Sequence, residues 1–150
     1  MGEIKPTTLD GAPMEGAGGG FPAVLTPHAP ASVATAVAWA GEHRQSVDRL
    51  LAANGAVLFR GFGLDTDTAF DQFIEAFDWP NFTYAESLSN AVRRNRTERV
   101  FTANEAPPEV SIFLHHEMAQ TPIYPSRLFF FCEQPALGGG ATPVGGPAWS

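Results

Sequence analysis

Ile112-Phe113-Leu114-His115-His116-Glu117-Met118-Ala119-Gln120 is the stretch on which the reading of this chain turns. Three bulky apolar residues lead into a histidine and a carboxylate two positions apart, His115 and Glu117. Alternate side chains of an extended strand share one face, so the spacing predicts a strand over 112–117 with His115 and Glu117 side by side. His116 would then point to the opposite face, as a hydrogen-bonded packing histidine. On a helix His115 and Glu117 would stand roughly 200° apart and could not meet at one ligand. On a strand they aim an imidazole nitrogen and a carboxylate oxygen at a common point. Those are two of the three donors of a 2-His-1-carboxylate site, which holds non-haem iron(II) with open coordination positions. Taken alone, a His-x-Glu pair more often marks a surface or ion-paired strand.

Further along, Ser126 to Glu133 contains Leu128-Phe129-Phe130-Phe131-Cys132, an apolar run typical of a strand buried on both faces. Cys132 there reads as a small buried hydrophobe. Upstream, Arg99 to Asn104 is a further strand candidate, ended by Pro107-Pro108. Before it, residues 79–97 are polar and irregular and are expected to form a surface loop. A helix is expected over 66–77: Asp65, Thr66 and Asp67 suit its start, and Phe70, Phe73, Ile74 and Phe77 form an i, i+3, i+4, i+7 stripe. Earlier still, Val33, Val37, Ala40, Val47, Leu50 and Leu51 mark a helix over about 32–54, with Ser32 as N-cap and Gly55 as its stop. Ala56-Val57-Leu58-Phe59 is a short buried strand, and Phe21 to Leu25 an extended segment.

Residues 1–20, rich in Gly, Pro and Ala, are expected to be a flexible tail. Residues 145–150 carry no periodicity and read as an unmatched tail. With helices first and strands later, the pattern predicts an α+β fold.

The totals bound the function. A chain of 150 residues holds one domain with a real core, and twelve Phe supply large core pieces. Nine basic against 16 acidic residues leave a net charge of −7, which argues against a nucleic-acid partner. Arg93, Arg94, Arg96 and Arg99, diluted by Asn, Thr and Glu, read as a solvated loop. One cysteine excludes an internal disulfide framework and suits a reducing compartment. The N-terminus shows no secretory signal, and no apolar run approaches the ~20 residues of a membrane span, so a cytoplasmic protein is expected.

Several words of this sequence, taken in order, resemble the taurine dioxygenase superfamily of Fe(II)/2-oxoglutarate oxygenases, and within it the clavaminate-synthase-like proteins. They are Phe21-Pro22-Ala23-Val24, Gly55-Ala56-Val57-Leu58-Phe59-Arg60-Gly61-Phe62, Val100-Phe101-Thr102-Ala103-Asn104-Glu105, His115-His116-Glu117-Met118-Ala119-Gln120, Pro125 to Glu133, and Gly139-Gly140-Ala141-Thr142-Pro143. The likeness covers residues 21–144, as the N-terminal part of a family domain. It implies part of a double-stranded β-helix (a jelly roll, cupin-like) with flanking helices. It also implies His115 and Glu117 as iron ligands, Thr142 as a hydroxyl holding 2-oxoglutarate, and Asn104 facing substrate. The cofactors implied are Fe(II) and 2-oxoglutarate as co-substrate. The implied reaction is hydroxylation of a small molecule at a C–H bond, coupled to decarboxylation of 2-oxoglutarate to succinate.

The family pattern continues with a third ligand, a downstream histidine, and an arginine that pairs with 2-oxoglutarate. Neither has a counterpart here, and His28 and His43 lie outside the matching words. An incomplete jelly roll leaves strand edges open, so a fragment with little turnover, able to self-associate through those edges, is expected. Two other readings stand beside the dioxygenase: a non-catalytic remnant that binds metal weakly or pairs with another chain, and a zinc-dependent cupin-like protein.

Overall fold

The computed structural model describes residues 21–82, 93–103, 107, 109–119 and 121–145, together with the backbone of residues 4–7. These fall into two compact units, one drawn from Met1–Leu64 with Val144–Ser150, the other from Asp65–Pro143.

The first unit is a three-stranded sheet with one helix. Its elements are β1 (Ile4–Thr7), β2 (Ala23–Pro27), α1 (Val33–Asn54) and β3 (Val57–Phe59). The strand order is β1-β2-β3. β2 and β3 run parallel, with Ala23 opposite Val57 and Leu25 opposite Phe59. Parallel neighbours need a long crossover, and α1 provides it. β1 pairs antiparallel with β2, Ile4 opposite Pro27 and Thr7 opposite Val24. An element therefore stands within the first twenty residues, which sequence alone marks as a tail. Pro6 is tolerated because β1 is an edge strand.

The helix ends follow the residue chemistry. The Ser32 hydroxyl accepts from the Thr35 amide at 3.2 Å, and Gly55, at φ 74°, donates its amide to the Leu51 carbonyl. Ala36, Trp39, Ala40 and Val47 are buried on α1, and Ala23, Val24 and Leu25 on β2. Of the expected stripe, Val33, Val37, Leu50 and Leu51 are only half-buried. Trp39 takes the centre instead, edge-on to Phe59 and Phe62 and stacked on His43 at 4.5 Å. Gly63, at φ +67°, sits where any Cβ would collide with the Ala31 carbonyl.

Among the described residues of the second unit the helix is α2 (Asp67–Glu75). Thr66 caps it, its hydroxyl accepting from the Ala69 amide at 3.1 Å. Phe70, Phe73 and Phe77 are buried, as their spacing predicts. Phe77 stacks on Trp79 at 4.6 Å and meets Phe73 edge-on, while Phe129 lies 6.0 Å away. Phe70 stacks on Phe131 at 5.0 Å. The Arg127 guanidinium lies over the Trp79 ring.

The C-terminal strands expected from sequence are not formed among the described residues. In place of a strand over 99–104 there is a single bridge, Asn95 to Phe101, closed by the Arg96 and Thr97 amides on the Val100 carbonyl. Ser126 to Glu133 has no ladder, and its burial alternates: Phe129 and Phe131 turn toward α2, whereas Phe130 is 73% exposed and Leu128 and Cys132 are exposed too. A run read as buried on both faces thus covers one face only, because no described segment pairs with its backbone. Mixed α and β content is present as expected, but the strands precede α2, and the described residues form no double-stranded β-helix.

The arginines read as a solvated loop do lie in a loop, with Arg94 and Arg96 exposed, but Arg93, Arg96 and Arg99 also pair with carboxylates. Arg96 bonds Asp67 at 2.8 Å and Glu133 at 3.1 Å, linking the start of α2 to the 126–133 segment. Arg99 reaches Asp71 and Glu75, one turn apart on α2. Arg93 pairs with Glu117 at 3.0 Å. Chiefly through its bond from Arg96, the Asp67 carboxyl is held below the usual carboxylate range.

Candidate metal centre

The backbone around the His-x-Glu pair is a turn, not a strand. The Ala119 amide bonds the His116 carbonyl at 3.2 Å, and the Thr121 amide bonds the Met118 carbonyl at 3.0 Å. Met118 adopts φ 59°, the left-handed region, while its side chain is buried. The Thr121 hydroxyl lies 2.9 Å from the Met118 carbonyl and 2.6 Å from that of Ile123. Burial of Met118 and closure of this turn outweigh the extended preference of the preceding apolar residues. Ile112, Phe113 and Leu114 remain exposed, Phe113 by 82%.

The two side chains nevertheless face one another. His115 Nε2 lies 4.0 Å from Glu117 Oε2. The other ring nitrogen, Nδ1, sits 2.7 Å from the Phe113 carbonyl oxygen. A carbonyl only accepts, so Nδ1 carries the hydrogen, and in the neutral ring Nε2 keeps its lone pair. That is the tautomer arrangement of a metal-binding histidine, whose second nitrogen donates to a backbone carbonyl or carboxylate. Glu117 offers one oxygen to His115, and its Oε1 accepts from Arg93 Nη2 at 3.0 Å. Side-chain exposure is 57% for His115 and 15% for Glu117, so the carboxylate is sheltered and the ring has room to turn.

The pair supplies the right donor types but stands too wide for immediate ligation. Donors that each lie ~2.1 Å from one octahedral ion and are adjacent on it stand about 3.0 Å apart. The observed 4.0 Å is wider than that, and the exposed His115 ring would have to turn toward Glu117 to share an ion with it. A neutral imidazole and a carboxylate are the donor types that a non-haem iron centre uses. Among the described residues no third His, Cys, Asp or Glu completes a cluster.

The remaining sequence candidates are less informative. His116, expected as a packing histidine, is exposed. Its Nδ1 lies 3.0 Å from the Glu117 carbonyl and its ring meets Tyr124 edge-on. Thr142 is exposed beyond Gly139 and Gly140, both at φ +68°, and among the described residues it bonds neither His115 nor Glu117. Asn104 lies outside the described residues. Arg93 is the participant that the residue pattern did not single out. Only its charge hinted at a carboxylate partner, and 24 positions separate the two.

Comparison with known proteins gives the pair its context. The model of a family described as "Taurine catabolism dioxygenase TauD, TfdA family" matches residues 21–145. A clavaminate synthase-like protein of Arabidopsis thaliana is 46% identical over 98 residues, which is 65% of this chain and 29% of that protein. The dapdiamide synthesis protein DdaC of Enterobacter agglomerans is 34% identical over 98 residues, with the same coverage of 65% and 29%. The aligned region thus spans less than a third of either relative. No described helix is long and apolar enough to cross a membrane.

Proposed function

The chain belongs to the taurine catabolism dioxygenase TauD, TfdA family, and from that premise we propose that it serves a dioxygenase dependent on Fe(II) and 2-oxoglutarate. The reaction proposed is hydroxylation of a small molecule at a C–H bond. His115 and Glu117 are the two protein ligands that this chain supplies. The observation that carries the reading is the 4.0 Å approach of His115 Nε2 to Glu117 Oε2, with Nδ1 engaged on the Phe113 carbonyl.

When bound, the iron supplies oxygen activation coupled to conversion of 2-oxoglutarate to succinate and CO2. The tasks left to this chain's own residues are plainer. The Phe113 carbonyl fixes the imidazole tautomer, the turn at Met118 sets the direction of the Glu117 side chain, and Thr142 is the hydroxyl proposed to meet a 2-oxoglutarate carboxylate. Asn104 is proposed as a neutral polar group toward substrate. With two ligands and no counterpart of the family's 2-oxoglutarate-pairing arginine, the chain alone is proposed to turn over little 2-oxoglutarate. The single thiol suits a cytoplasmic setting.

The test is a titration of the full chain with Co(II), an air-stable stand-in for Fe(II), followed by visible absorbance. A saturable d–d band is expected, weakened at least about tenfold in affinity by either His115→Ala or Glu117→Ala. Equal binding by wild type and both variants overturns the reading.

A further inference from the structure

Resting on the metal reading above, we propose that Arg93 is a positioning residue for the Glu117 carboxylate, deciding which of its oxygens is presented to the ion. A glutamate side chain has several rotatable bonds, and its two carboxylate oxygens are chemically equivalent. Left to itself it samples many directions and binds a cation through either oxygen or both. Here the equivalence is broken. Arg93 Nη2 donates to Oε1 at 3.0 Å, while Oε2 is the atom that faces His115 Nε2 at 4.0 Å. The side chains of Arg93 and Glu117 are only 18% and 15% exposed, so this charge-assisted bond is sheltered from water.

The backbone holds the carboxylate's other end. Glu117 is followed by buried Met118 at φ 59°, whose carbonyl accepts from the Thr121 amide. The turn fixes the Glu117 Cα and Arg93 holds Oε1, which narrows the directions in which the carboxylate can be presented. Partners of metal-binding carboxylates act in this way, and their removal weakens metal binding by roughly 10- to 100-fold.

Arg93 also brings a positive charge near a cation site, and that effect has the opposite sign. Removing it relieves repulsion and, taken alone, tightens binding. Lysine separates the two contributions, because it retains the charge but lacks the planar fork that fixes a carboxylate oxygen.

The experiment compares wild type, Arg93→Lys, Arg93→Met, His115→Ala and Glu117→Ala. Each is titrated with Co(II) by absorbance at a temperature where circular dichroism shows every variant with wild-type helix content. Arg93→Lys is expected to weaken Co(II) binding by roughly 10- to 100-fold. Lysine binding equal to wild type overturns the proposal, as does Arg93→Met binding more tightly than wild type, which would leave charge as the only effect. Wild-type binding unmoved by His115→Ala and Glu117→Ala overturns the metal reading itself, and the role of Arg93 with it. Pair-dependent binding with an indifferent Arg93 removes the positioning role alone.

Discussion

In the first unit the backbone does the joining: three strands share ladder hydrogen bonds, and α1 carries the chain across between two parallel neighbours. Among its described residues the second unit has one helix of nine residues and a single isolated bridge. Its extended segments are held by side chains, through aromatic rings on and just after α2 and arginines bonded to the acidic residues of α2. The contrast matters for chemistry. A ladder fixes alternate side chains by geometry alone, whereas a turn held by packing and ion pairs places each functional group individually. His115 and Glu117 lie in the second kind of structure.

If ring packing is what holds the second unit, Phe77→Ala should be among the most damaging single changes there. Phe77 is 0% exposed and packs with Phe73, Trp79 and Phe129. Its truncation is expected to cost roughly 3–5 kcal/mol, read by urea denaturation. Phe130→Ala, at a side chain 73% exposed in the same apolar run, should change stability by less than about 0.5 kcal/mol. Equal effects at the two positions would mean that the run is buried on both faces after all.

For the first unit the corresponding probe is backbone geometry. Gly63→Ala places a methyl against the Ala31 carbonyl at positive φ and should destabilise by roughly 1–3 kcal/mol. A neutral result in thermal melts would remove close backbone approach from the description of that unit.

The smallest effect expected is electrostatic. Asp67 has its folded pKa depressed by Arg96, so the pair's contribution is present above the ordinary aspartate value of about pH 4. It is lost as pH falls through the lower folded value. Both groups are solvent-facing, so the effect should be slight. Wild type should lose a little more melting temperature than Asp67→Asn as pH drops below that range, and the difference should shrink in high salt. Parallel pH profiles would show that the Arg96–Asp67 pair contributes nothing to the second unit's stability.

The elements legible in the sequence were those with local causes. Ser32 and Gly55 bounded α1, Thr66 opened α2, and the phenylalanine stripe named its buried face, because capping and helical period are properties of residues near one another in the chain. The His115–Glu117 pairing was legible too, although for another reason than the one assumed. Spacing of two suggested a strand, yet the groups approach across a turn. Composition read Arg94 and Arg96 rightly as exposed, but could not locate the carboxylates that Arg93, Arg96 and Arg99 meet.

The residues by themselves determined which segments could be helical and which rings could form a core. Tertiary structure alone decided that Arg93 meets Glu117 across 24 positions, that Arg96 joins Asp67 to Glu133, and that alternate members of the 128–132 run stay exposed. Capping and periodicity act within a few residues. A salt bridge between distant positions, or the burial of one face of an extended segment, depends on what the rest of the chain brings alongside.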